Sequence, residues 1–292
     1  MRKVGIVTDS LAGLPRDLVE RHEIRVLPVS LAFSDRIYLD EVGKPPGELY
    51  KLLENGTKPP TTAPPSPGAY LEAFREMAHQ HEAVLCITVS QRLSSAVRSA
   101  EAAKALAQEE LPEKTIHILD SGSCAMGQGF VVLEAARAAE KGQGLEEVLL
   151  AAQRVKEKVY LLAFLDTLKY LARSGRIPTV GAWAAAILSL KPIIRIDGGR
   201  IGLLATVRDR ERGMERLLRL AQERSRGKPI YAAVIHANVP EHAQRFREML
   251  ASRLKCAELL VAQVSPVMGI FAGPSILGLA FYTEGEETLR VG

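Results

Sequence analysis

The run Ala83-Val-Leu-Cys-Ile-Thr-Val-Ser90, followed by Gln91-Arg-Leu93 and then by Ser94-Ser-Ala-Val-Arg-Ser-Ala100, decides the fold class. Its first part is almost continuously apolar and rich in β-branched residues, the pattern of a strand buried on both faces of a parallel sheet. Its last part is helical. Ser94 and Ser95 stand where the helix should begin, and Ala96, Ala100, Ala103 and Ala107 give it one small-residue face for close packing. A helix that starts at the carboxyl end of a buried strand presents unpaired N–H groups and a partial positive charge, which favours a carboxylate or phosphate. Two roles are therefore open to Ser94, helix cap or contact to a bound anion.

The same pattern recurs on either side. Residues 4–8 form a strand ending in Asp9-Ser10, and Pro15 opens a helix to about residue 22. A second strand is expected over 25–33 and a short helix over 47–54, stopped by Asn55-Gly56. The stretch Lys58-Pro-Pro-Thr-Thr-Ala-Pro-Pro-Ser-Pro67 is excluded from helix and central strand, because its prolines lack donors and push preceding residues into extended geometry. It is either a stiff connector to a helix over 68–80 or a rigid holder for Thr61, Thr62 and Ser66. A strand over 115–119 ends again in Asp-Ser, at Asp120-Ser121, before the turn-like Gly122-Ser-Cys-Ala-Met-Gly-Gln-Gly129. Parallel strands that finish this way line one carboxyl edge with polar groups, and that edge is where open α/β sheets bind ligands. Each Asp and Ser is equally able to cap the helix that follows it. Helices over 130–140 and 145–158 complete this half.

Beyond residue 158 the texture changes. A strand over 159–164 and a helical piece over 168–174 precede the break at Gly175-Arg-Ile-Pro178; strands over 191–197 and 200–205 then flank Gly198-Gly199, a hairpin signal. Antiparallel pairing thus replaces the parallel crossover. Helices over 209–226 and 241–253 alternate with strands over 230–236, 259–264 and 276–282. The expected architecture is a two-domain α/β protein: residues 1–158 form a mostly parallel sheet with flanking helices, and residues 159–292 form an α+β domain.

Composition narrows the function. The chain has 292 residues, 47% hydrophobic and only 5% aromatic, enough for two cores but short of rings for stacking nucleic-acid bases. The formal charge of +4 is spread among interspersed Lys, Arg, Asp and Glu, so it supports at most a mild preference for anionic ligands. Cys86, Cys124 and Cys256 form no CxxC and cannot all pair, which fits a reducing compartment. With neither a signal-peptide pattern nor a run of membrane-spanning length, a cytoplasmic location without a stable membrane anchor is expected.

No Walker A, GxGxxG, GxSxG, HExxH or CxxC pattern is present, and the six histidines offer no persuasive metal set, so neither cofactor nor metal is expected. His236, at the end of a strand, is placed to serve as a general base to Ser94 or Ser10, or to be a structural histidine. A serine-dependent hydrolase or acyltransferase is the alternative that follows, with a small-anion enzyme at the same sheet edge as a third. The clusters Arg173-Ser-Gly-Arg176 and Arg208-Asp-Arg-Glu-Arg212 are either solvated charged faces or contacts to an anion or partner.

Taken in order, several short motifs resemble the DegV family over nearly the whole chain. They are Ile6-Val-Thr-Asp-Ser10, Thr62-Ala-Pro-Pro-Ser-Pro67, Leu93-Ser-Ser-Ala96, Asp120-Ser121, Leu168-Lys-Tyr-Leu171 with Gly175-Arg-Ile177, and Leu190-Lys-Pro-Ile193 before the hairpin. The resemblance implies a long-chain fatty-acid binding protein with no chemistry of its own. By position, Thr62 and Ser94, with Ser95 beside them, would hold the carboxylate on the first domain, while the acyl chain lies in an apolar interior pocket and the second domain closes the ligand cleft. Some family members present the acyl chain to a kinase subunit, and Arg173, Arg176 and Arg208 are the residues expected at such a docking surface. The chain departs from the family pattern at three places. Ala63 replaces a loop serine, Ser95-Ala96 replaces Gly-Thr, and Phe271-Ala-Gly-Pro-Ser275 stands where the family has His-x-Gly-Pro-Gly. The missing histidine puts hand-over to a kinase in doubt more than it does fatty-acid binding.

Overall fold

The structure is a computed structural model, and it describes residues 2–33, 36–40, 60–177 and 190–284. The helix expected over 47–54 lies outside the described residues. Among those described, residues up to 156 and residues from 157 onward form two compact units.

In the first unit, β1 (Val4–Asp9), β2 (Arg25–Leu27), β6 (Ala83–Thr88) and β7 (Thr115–Asp120) make a four-stranded parallel sheet in the order β2-β1-β6-β7. Every residue of β1 and β6 is buried, as their unbroken apolar runs require. Helices α2 (Pro67–Gln80) and α3 (Ala96–Glu110) cover one face, where Tyr70, Phe74 and Met77 meet Val7, Val84, Cys86 and the alanines of α3. The predicted small face holds: Ala96, Ala100, Ala103 and Ala107 are all fully buried. Also in this unit are α1 (Arg16–Arg21), α4 (Ala125–Glu140) and α5 (Leu145–Lys158).

Three expectations are corrected here. The strand expected over 25–33 is two strands. After β2 the chain leaves the parallel sheet at Pro28, which has no N–H for a ladder, and Ser30–Phe33 becomes β3, the centre of a separate antiparallel sheet in the order β4-β3-β5. Its edges are β4 (Arg36–Leu39) and β5 (Thr61–Ala63), so part of the proline-rich segment is an edge strand rather than a loop. The helix expected over 130–140 starts at Ala125. Glycine is costly inside a helix, yet a Cβ at position 129 would lie 2.8 Å from the carbonyl oxygen of Ala12, so close approach to the chain after β1 requires Gly129.

The second unit contains a six-stranded mixed sheet, order β10-β9-β8-β13-β11-β12. Its strands are β8 (Tyr160–Phe164), β9 (Lys191–Asp197), β10 (Arg200–Val207), β11 (Ile230–His236), β12 (Cys256–Gln263) and β13 (Leu277–Thr283). Gly198 and Gly199, at φ +51° and +76°, make the β9–β10 hairpin turn as predicted. Antiparallel pairing does not extend throughout, because β11 and β12 are parallel and joined by α8 (Pro240–Arg253). Helices α7 (Arg210–Ser225) and α8 bury Met214, Leu217, Leu218 and Phe246 against Phe164, Val234 and Leu279 of the sheet. Short helices α6 (Lys169–Arg173) and α9 (Pro266–Ala272) complete the unit; the second is absent from the sequence-based expectations.

Candidate ligand site

The parallel order β2-β1-β6-β7 brings the ends of β1, β6 and β7 to one edge, and the two Asp-Ser dipeptides lie along it. Asp9 is fully buried. Its Oδ1 accepts from the amide of Leu11 at 3.1 Å, capping the tight turn Ser10–Ala12, and its Oδ2 accepts from the amide of Val89 at 2.8 Å, just past the end of β6. Burial, with the neighbouring charge of Asp40 adding to it, raises the Asp9 carboxyl from 3.8 to about 6 against the opposing effect of those amides and of Gln128. Ser10, also buried, donates from Oγ to Asp40 Oδ2 at 2.7 Å and accepts from the amide of Val29 at 3.1 Å. The Asp40 amide closes this link on the carbonyl of Val29 at 2.9 Å. At the end of β7, Asp120 Oδ1 accepts from the amide of Gly122 at 2.8 Å, and the Ser90 amide donates to the carbonyl of Ser123. The edge is thus cross-linked by its own side chains. Sequence reasoning noticed Asp9-Ser10 by its echo in Asp120-Ser121 but missed Asp40, which stands in no motif.

Thr62 lies in β5, half-buried and opposite Leu31 of β3. Ser94 follows β6 and is half-buried; its amide donates to the carbonyl of Ser90, and its Oγ accepts from the amide of Ala96 at 3.3 Å. Ser95 occupies the N-cap position of α3, yet its hydroxyl caps no amide, and the first turn contains no acidic residue. Helices α2 and α7 differ, being capped by Ser66 and Asp209. Ser66, grouped with the loop threonines by sequence, is therefore a cap. The cap and anion roles of Ser94 coexist, since an oxygen that accepts from one amide still has a proton to donate. Chemically, the start of α3 offers a hydroxyl at Ser94, another at Ser95 and first-turn N–H groups with the positive end of a helix dipole behind them.

In the second unit, His236 ends β11 buried, with no partner for Nδ1 among the described residues, and burial holds its pKa below the ordinary imidazole value. Within the first unit Ser10 gives its proton to Asp40, and the hydrolase alternative finds no support. Arg173 and Arg208 are exposed, whereas the Arg176 guanidinium lies 4.5 Å from the centroid of Phe271 and is half-buried, which lowers its pKa. Phe271 is on α9 and carries a cation over its ring. Among the described residues no group of His, Cys, Asp and Glu could hold a metal ion, and no helix is long and apolar enough to cross a membrane.

Comparison with known proteins decides the family. The model of the uncharacterised DegV family matches residues 3–284. The chain belongs to the DegV family. Its DegV relatives include a DegV domain-containing protein of Streptomyces coelicolor, 33% identical over 279 residues and covering 95% of this chain and 98% of that one. A DegV family protein of Thermus thermophilus, solved as a case of fatty acid binding, is 32% identical with a TM-score of 0.89 and covers 97% of this chain and 100% of its own. DegV of Bacillus subtilis, described as a fatty acid binding protein, is 28% identical with a TM-score of 0.85 over 97% of this chain and 100% of that one. The mixed α/β architecture expected from sequence is the architecture of these DegV proteins.

Proposed function

We propose that this chain is a carrier that binds one long-chain fatty acid, with the carboxylate held by Thr62 and Ser94 and assisted by Ser95, and performs no catalysis itself. The observation that carries this is its end-to-end likeness, at 32% identity, to the fatty-acid-binding DegV protein of Thermus thermophilus. The start of α3 supports it independently: the N-cap Ser95 makes no side-chain hydrogen bond to the first turn, and only the amide of Ala96 is taken up, by Ser94 Oγ, which suits an anionic head group. The first domain, up to about residue 158, is proposed to carry the head group, in a protein of the cytoplasm. The tail belongs in an apolar interior.

A fatty acid kinase subunit is the partner that family resemblance supports. Arg173 and Arg208 would be available to it, while Arg176 is engaged with Phe271. Incubation with a kinase subunit and ATP, read as acyl phosphate formed, tests this separately from binding.

Each of Thr62→Ala and Ser94→Ala should weaken palmitate binding roughly ten- to a hundredfold, as loss of one hydrogen bond to a charged group worth ~1.5–3 kcal/mol implies. Isothermal titration of delipidated protein measures it. Labelling by a serine-reactive fluorophosphonate, or tighter binding of a phosphosugar than of palmitate, would instead favour an enzyme.

A further inference from the structure

Thr62 lies in the antiparallel sheet and Ser94 in the turn that follows β6 of the parallel one, yet the segments that carry them are both tied to the dipeptide Asp9-Ser10. From Asp9, Oδ2 reaches the amide of Val89, which opens the turn in which Ser90 accepts from the amides of Leu93 and Ser94 at 2.9 and 3.1 Å. From Ser10, Oγ reaches the amide of Val29 and the carboxylate of Asp40 on either side of the β3–β4 hairpin, and β3 pairs through Leu31 with Thr62. These links span 80 residues in one direction and 30 in the other. We infer that Asp9 and Ser10 are positioning residues, Asp9 for Ser94 and Ser10 for Thr62, so that one buried dipeptide sets the separation of the two hydroxyls offered to the ligand. The inference rests on the proposal that those hydroxyls hold a carboxylate.

The chemistry of the two side chains fits this role better than capping alone. A cap needs one acceptor, and serine or asparagine would supply it at position 9. The aspartate instead uses both oxygens, one on its own turn and one on the neighbouring strand's exit, and keeps them despite a fully buried carboxylate. At position 10 the hydroxyl both donates and accepts, so it joins Asp40 to Val29 in one contact. Hydrogen bonds to a bound carboxylate tolerate only about half an ångström of misplacement, so anchoring of this kind is felt in affinity.

A double-mutant cycle on delipidated protein, with palmitate as the probe, tests the assignment. Ser10→Ala should weaken binding about as much as Thr62→Ala, roughly ten- to a hundredfold. Combined with Thr62→Ala it should add less than about twofold, and combined with Ser94→Ala it should keep its full factor. Asp9→Asn should show the mirror image, absorbed by Ser94→Ala and additive with Thr62→Ala, and Ser10→Thr should restore affinity. If Ser10→Ala does not fold, Asp40→Ala breaks the same link from its other end and takes its place in the cycle. Equal factors in every background would reduce both residues to general structural roles and overturn the inference. If Thr62→Ala and Ser94→Ala leave affinity unchanged, the carboxylate assignment fails, and the positioning roles fail with it.

Discussion

Octanoate should bind this protein four to five orders of magnitude more weakly than palmitate. The two acids have the same head group and differ by eight methylenes, each worth ~0.8 kcal/mol on burial, which sums to about 6 kcal/mol. The cost of association is common to both and cancels in the ratio. A full-length palmitate of about sixteen carbons therefore draws most of its affinity, on the order of 10 kcal/mol before that cost, from its tail. The carboxylate contacts contribute ~1.5–3 kcal/mol each, enough to set direction but not to hold the ligand alone. Competition titration with acids of increasing length, each below its aggregation threshold, measures the slope. A ratio under about tenfold between palmitate and octanoate would mean that the chain beyond the eighth carbon stays in water, and would contradict an interior site.

The second large effect is on stability. Asp9 binds its proton more tightly in the folded protein, near pH 6, than in the unfolded chain, where its ordinary value is 3.8. Folded protein therefore holds more protons than unfolded protein between those values, and stability must fall as pH rises through that window. The contribution is fully present below about pH 4 and lost by about pH 6.5, a change of about 3 kcal/mol. Other carboxylates act in the opposite sense; Glu110, paired with Arg75, is held below its ordinary range. The comparison that isolates Asp9 is thus wild type against Asp9→Asn in urea unfolding at several pH values. The wild-type curve should drop relative to the variant between pH 4 and 6.5, while parallel curves would show that Asp9 is not a buried, proton-retaining carboxyl.

How far the sequence predicted this structure depends on the kind of signal each element carries. Strands β1 and β6 were legible because a buried parallel strand has to be apolar along its length, and the edge strand β7, only partly buried, by the Asp-Ser end it shares with β1. Strand β4 was not legible. Its residues Arg36, Ile37 and Leu39 are exposed, so no buried face imposes a pattern. The split at Pro28 carried a signal, a proline within an apolar run, which was read through rather than as an exit from the sheet. Gly127 and Gly129 disguised the first turn of α4 as a loop, because the close contact with Ala12 that explains one of them is tertiary. Similarly, the parallel pairing of β11 with β12 was present as a strand, helix, strand order but was overshadowed by the hairpin at Gly198-Gly199.

The candidate site divides in the same way. The helix start at Ser94 and Ser95 was legible from the sequence, while the proposal of Thr62 as a head-group contact rests on family resemblance alone. Asp40 could not be found, since its meaning depends on a hydrogen bond to a serine 30 residues away. The packing of Phe271 under the Arg176 guanidinium was likewise not legible, since it is a tertiary contact.

The central claim is that this protein carries a fatty acid, and native mass spectrometry of the purified protein, with denaturing organic extraction of the same batch, tests it most directly. One long-chain fatty acid per chain, recovered by extraction and matching the mass excess of the native protein, is the predicted result. A protein of bare polypeptide mass that also fails to take up added palmitate would contradict it.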